Sequence, residues 1–145
     1  MKKKCLVMAV VATLVFSMAG CGFSAKKYEQ DIDALLEIAD LDWDDTEEMK
    51  DDFDELEFVT KEGIEIQEKY DKLIKLVIEE EELWEEYYED EIDDYEFEET
   101  QEEINEKAEK LAEDIEELLE DFYDAAEDAG ADEDALEDLE DEFDL

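Results

Sequence analysis

Asp40, Asp42, Asp44, Thr46, Glu48 and Asp51 place oxygen-bearing side chains at positions 1, 3, 5, 7, 9 and 12 of a twelve-residue stretch, the order in which a calcium loop presents its ligands. Calcium prefers a shell of hard oxygen donors, so carboxylates on this schedule are the right chemical type. Two requirements of such a loop are missing. Position 6 is Asp45, where glycine permits the sharp turn, and position 8 is Glu47, where an apolar residue anchors the loop. With 55 Asp and Glu in the chain, spacing of this kind also arises from abundance, and an acidic link between helices is the default reading. Low-affinity binding of calcium, or simple buffering of charge, stands as the alternative.

A second set of residues is aromatic. Trp84, Tyr87, Tyr88, Tyr95 and Phe97 put five large rings into fourteen residues near a predicted helix end, more than one narrow helical seam can bury. They either close the end of a bundle or form a contact patch ringed by acids and suited to a basic protein or peptide, since Trp and Tyr dominate interface energetics. Catalysis has little to work with. The chain has 12 Lys but no Arg and no His, so it lacks an imidazole base and a guanidinium fork for phosphate. Triad hydrolysis, His-ligated zinc peptidases and arginine-clamped phosphoryl transfer are excluded. Paired carboxylates with Trp43 and Trp84 as sugar platforms would suit a glycosidase, but no carboxylate is distinguished from its neighbours. The expectation is a noncatalytic protein. A formal net charge of −43 opposes nucleic acid, whose affinity comes from cations neutralising phosphates.

Cys21 is chemically distinctive through what precedes it. Lys2, Lys3 and Lys4 form a basic start, and Cys5 to Gly20 carries no charge, the layout of a secretory signal. Sixteen residues of helix reach about 24 Å, short of a hydrocarbon core of about 30 Å. The segment closes on Met18-Ala19-Gly20-Cys21, which resembles the lipobox of bacterial lipoproteins, although Met18 stands where Leu is commonest. The resemblance covers residues 1 to 21. It implies cleavage ahead of Cys21, diacylglycerol on its sulfur and attachment to the membrane through that lipid. The chain then divides into a signal peptide at 1–20, a lipid anchor and short tether at 21–27, and an acidic helical domain at 28–145. The protein would sit on the extracytoplasmic face of a cell membrane. Lys without Arg or Pro favours an AT-rich, Gram-positive host; in a Gram-negative one, Gly22 in place of Asp would direct it to the outer membrane. Cys5 leaves with the signal and Cys21 is blocked, so no intramolecular disulfide forms.

The elements that must position these residues read as helices. After cleavage, nine Lys oppose 55 acids for a net charge of −46, and only Gly22, Gly63 and Gly130 remain to make tight turns. Tyr28, Ile32, Leu35, Leu36 and Ala39 share one stripe, followed by a break at Asp40 to Asp45. Asp45 and Glu48 have the spacing of a capping box. From Met49 a stripe runs through Phe53, Ile66, Tyr70, Leu73 and Val77 to Trp84 and Tyr88, as one helix or as two with a break near 58–63. Thr100-Gln101-Glu102-Glu103 is a capping box and predicts a helix start, with Gly130 as the C-terminal stop. Leu136, Leu139 and Phe143 suggest a short last helix. The fold expected is all-α: a bundle of three to four amphipathic helices with a central antiparallel hairpin. If that hairpin turns about residue 95, partner numbers sum to about 190, and Lys107 and Lys110 face Glu79 to Glu82 while Lys72 and Lys75 face Glu113, Glu116 and Glu117.

Overall fold

The computed structural model describes residues 24–43, 45–89, 91–143 and 145, and all regular structure among them is helical. The leader, the lipobox and Cys21 lie outside the described residues, as does Asp44. Among the described residues five helices follow in order: α1 at 24–39, α2 at Thr46–Asp54, α3 at Lys61–Tyr88, α4 at Asp94–Ala129 and α5 at Glu133–Phe143. This is one more than the three to four expected, because the stripe after Met49 is divided between α2 and α3. No helix among the described residues is long and apolar enough to cross a membrane.

Helix α1 begins within the stretch read as a tether and buries Ile32, Leu35 and Ile38 completely or nearly so. Its inward face also carries an acid. Asp31 is wholly buried and accepts hydrogen bonds from the amides of Val59 (2.8 Å) and Thr60 (2.9 Å) and from the Thr60 hydroxyl (2.5 Å). These bonds explain why the chain breaks between α2 and α3. The amides of residues 59 and 60 are claimed by a side chain from α1, while Thr60 caps α3 by accepting from the Gly63 amide at 2.9 Å. Gly63 itself breaks nothing. A Cβ there would collide with the Asp31 carboxylate and lie 2.9 Å from the Phe58 ring, so the glycine is what lets α1 approach α3 this closely.

Helix α2 starts where the sequence predicts, with the Asp45 carboxylate taking the Glu48 amide at 3.1 Å. Helix α4 does not. Its N-cap is Asp93, which accepts from the amides of Tyr95 (3.1 Å) and Glu96 (3.0 Å), and Thr100 lies in its second turn. Capping supplies about 1 kcal/mol, so the cap nearer the turn prevails when burial rewards the extra residues; here Phe97 is buried between Asp93 and Thr100. The other end follows expectation. Gly130 adopts the left-handed conformation at φ 78°, and the Ala131 amide reaches back to the Ala126 carbonyl at 3.0 Å.

The earlier start of α4 moves the hairpin register. Tyr87 meets Asp94, Trp84 meets Phe97 and Lys69 meets Asp114, so partner numbers sum to 181–183 rather than 190. Relative to α3, α4 is displaced by about two turns from the expected pairing. The ion pairs expected across the hairpin change accordingly: Lys75 pairs with Asp71 (2.6 Å) and Lys107 with Glu103 (3.8 Å), each within its own helix. Two apolar clusters result. The larger gathers all five helices around Phe122, Ile66, Ile74 and Leu139. The smaller, Leu76, Leu83, Phe97 and Ile104, belongs to the distal half of the α3–α4 hairpin alone.

Candidate functional site: the aromatic tip of the hairpin

The distal hairpin brings four of the five predicted rings into one cluster. Trp84 lies edge-on to Phe97 with centroids 4.5 Å apart and stacks on Tyr88 at 5.6 Å, and Tyr87 packs on Phe97 at 4.5 Å. Helical spacing accounts for the arrangement: 84, 87 and 88 are i, i+3 and i+4 on α3, and 97 comes across from the first turn of α4. Phe97 is buried and closes the small core. Tyr88 and Tyr95 do the opposite, at 76% and 73% exposed. Tyr95 stacks on none of the other four; it joins Tyr87, Tyr88 and Ile92 around an open concavity of about 710 Å³, with Asp93 and Asp94 at its edge. The rings thus divide: Phe97 closes the bundle end, while Tyr88 and Tyr95 face solvent.

The electrostatics of the tip have one sign. From Leu76 to Glu106 the chain carries seventeen acids and no Lys. The Tyr87 hydroxyl donates to Asp94 at 3.0 Å, and this bond, with the Asp94 charge, raises its pKa above the ordinary phenol value. Such a surface offers apolar area to a side-chain stem and carboxylates to a cationic head. Ile92 was not singled out by sequence, because an isolated aliphatic residue between two helices carries no periodic signal.

The stretch with the calcium schedule is laid out differently. Asp40 is the turn residue that follows α1, Asp42 lies in the link, and Thr46, Glu48 and Asp51 belong to α2. The Thr46 hydroxyl is turned to Glu81 on α3, and Asp45 is engaged as a cap. Among the described residues no group of three or more acids is placed to hold a metal ion. Trp43 sits 37% exposed in the same link, apart from the ring cluster that contains Trp84.

The chain matches no protein-family model, no curated protein and no solved structure.

Proposed function

We propose that this protein is an envelope lipoprotein, anchored through diacylglycerol on Cys21, whose helical body is a noncatalytic binding module that grips a basic protein or peptide at the hairpin tip. The observation that carries this reading is the pair of exposed tyrosines, Tyr88 and Tyr95, standing on a packed ring cluster and surrounded by carboxylates. Aromatic anchors on a rigid base lose little entropy on contact, and the acidic field speeds encounter with a cationic partner. The course of the chain supports the same reading. Tyr28, seven residues after Cys21, packs on Phe122 at 5.3 Å and bonds Glu62, at the end of α3 opposite the tip. The 28 residues of α3 span about 42 Å, so a contact face at the tip would be held well out from an anchor at the N-terminal end.

Two measurements test the proposal. Cys21→Ser should leave an unlipidated precursor that no longer enters the detergent phase; normal lipid labelling of that variant would refute the anchor. For the tip, a synthetic Lys/Arg-rich peptide is titrated by calorimetry against the wild type and a Tyr88→Ser/Tyr95→Ser variant. A loss of about tenfold or more in affinity with an unchanged melting temperature is expected, since both rings are exposed. Equal affinity would mean that the peptide senses only diffuse charge.

A further inference from the structure

The lysines are the rarest charged groups in this molecule, and the hairpin collects them. Lys72 and Lys75 on α3 and Lys107 and Lys110 on α4 line a single groove of about 440 Å³ together with Leu76, Leu111 and Asp114. The observed register is what puts them there: at the pairing expected from sequence each lysine pair would face acids, and the two-turn displacement sets the pairs against each other instead. Residues three apart on a helix lie about 5–6 Å apart, and packed helices about 8–10 Å, so the four side chains rise from a patch roughly 10 Å across. Lys72 and Lys110 make no ion pair among the described residues. Their charge is nevertheless felt: Asp114 is held below the usual carboxylate range, first by its hydrogen bond from Lys69 and further by the fields of Lys110 and Lys72. The floor is the edge of the small core, with Leu76 buried and Leu111 half-buried. Lysine stems extend that apolar surface towards the rim, leaving ammonium heads outside.

We propose that this groove binds a small amphiphilic anion, a medium-chain alkyl carboxylate, with its hydrocarbon along Leu76 and Leu111 and its head among Lys72, Lys75, Lys107 and Lys110. Charge complementarity selects the head group, and the size of the whole field selects a small ligand. With a net charge of −43, an extended polyanion such as nucleic acid, an acidic protein or an anionic bilayer meets repelling carboxylates along most of its length. A single carboxylate fits inside the lysine patch, where the roughly 8 Å screening length of physiological salt mutes the surrounding acids. The apolar floor then distinguishes an alkyl carboxylate from an inorganic anion.

The test uses the full chain and calorimetric titration with decanoate, alongside 1-decanol, decyltrimethylammonium and inorganic phosphate as probes. One-to-one saturable binding of decanoate is expected, weakened about tenfold or more by Lys72→Gln/Lys110→Gln and unaffected by Lys61→Gln, which lies outside the groove. Leu111→Asp should abolish it; because that variant also disturbs the small core, the exposed double lysine variant, with its melting temperature unchanged, decides the matter. Absence of saturable decanoate binding, equal binding of the alcohol or the cation, or an undiminished affinity in the lysine variant would each overturn the proposal. Phosphate binding as tightly as decanoate would overturn the amphiphile in favour of a bare anion site. None of these outcomes depends on the tip tyrosines.

Discussion

Asp31 is the residue on which the lower half of the molecule turns. It sits without exposure between α1 and the start of α3, and three donors converge on its carboxylate. Its negative charge also lies at the N-terminal end of α3, where the helix dipole favours an anion. Replacing Asp31 with Ala would leave the buried amide and hydroxyl of Thr60 and the part-buried amide of Val59 without their partner, and should cost about 3 kcal/mol, read as a lower urea midpoint at constant slope. Asp31→Asn keeps one acceptor oxygen and should cost about half of that. A second residue gives the protein an alkaline limit. Burial pushes the Tyr70 hydroxyl up from 10 to about 12, so the folded state holds this proton more tightly than the unfolded chain does. Its contribution is therefore fully present below pH 10 and is lost as pH rises towards about 12, amounting to about 2 to 3 kcal/mol over that window. In Tyr70→Phe the stability should fall less steeply over this window; an unchanged slope in denaturant titrations at successive pH values would contradict the assignment.

Among the elements, the competition between Asp93 and Thr100 for the start of α4 is directly measurable. Asp93→Ala should fray the first turns of α4, expose the Tyr95 and Glu96 amides to exchange and cost about 1 kcal/mol, whereas Thr100→Ala should change the melting temperature very little. The reverse ranking would return the helix start to the capping box. This pair also marks what the sequence could tell. Periodicity found the stripes of α1, α3 and α4 because burial on one face leaves a repeat in the order of residues itself, and Gly130 stopped α4 because a left-handed residue favours glycine. Register left no such trace. In a chain where every face carries acids, any sliding of α4 along α3 finds carboxylates for its lysines, so charge matching could not choose among alignments. The start of α4 was ambiguous in its own way, since Asp93 and Thr100 both offer a capping side chain. Asp31 did leave a signal that was missed: it falls on the inward stripe between Tyr28 and Ile32, where an acid is expensive unless it is fully bonded. The tip was readable as a cluster of rings but not as a division of labour, since which rings are buried depends on where α4 begins.

For the whole molecule, repulsion is the dominant long-range term. So many carboxylates on a bundle with only a handful of ion pairs among the described residues, all with partly exposed partners, must favour expansion, and exposed pairs return at most about 1 kcal/mol each. Raising sodium chloride from roughly 0.05 M to roughly 0.5 M shortens the screening length and should raise the melting temperature smoothly by about 5 °C, equivalent to about 1 kcal/mol. Millimolar calcium should act the same way, more strongly and without a one-to-one end point. A stoichiometric calcium transition abolished by Asp40→Asn/Asp44→Asn would instead point to a formed site in the α1–α2 link.

The separation of the apolar interior into two clusters sets a hierarchy of opening. The lower cluster draws on five helices, while the upper one is held by two helices and four buried side chains, so the distal hairpin should behave as its own foldon and open at a lower free energy than the rest. In native-state hydrogen exchange its amides, around Leu83 and Ile104, would exchange through a sub-global opening, and those around Ile66 and Phe122 only through global unfolding. Whatever closes on Tyr88 and Tyr95 would have to hold that foldon shut, so occupancy of the tip would be recorded as slowed exchange deep inside the upper hairpin, in residues that the partner never touches.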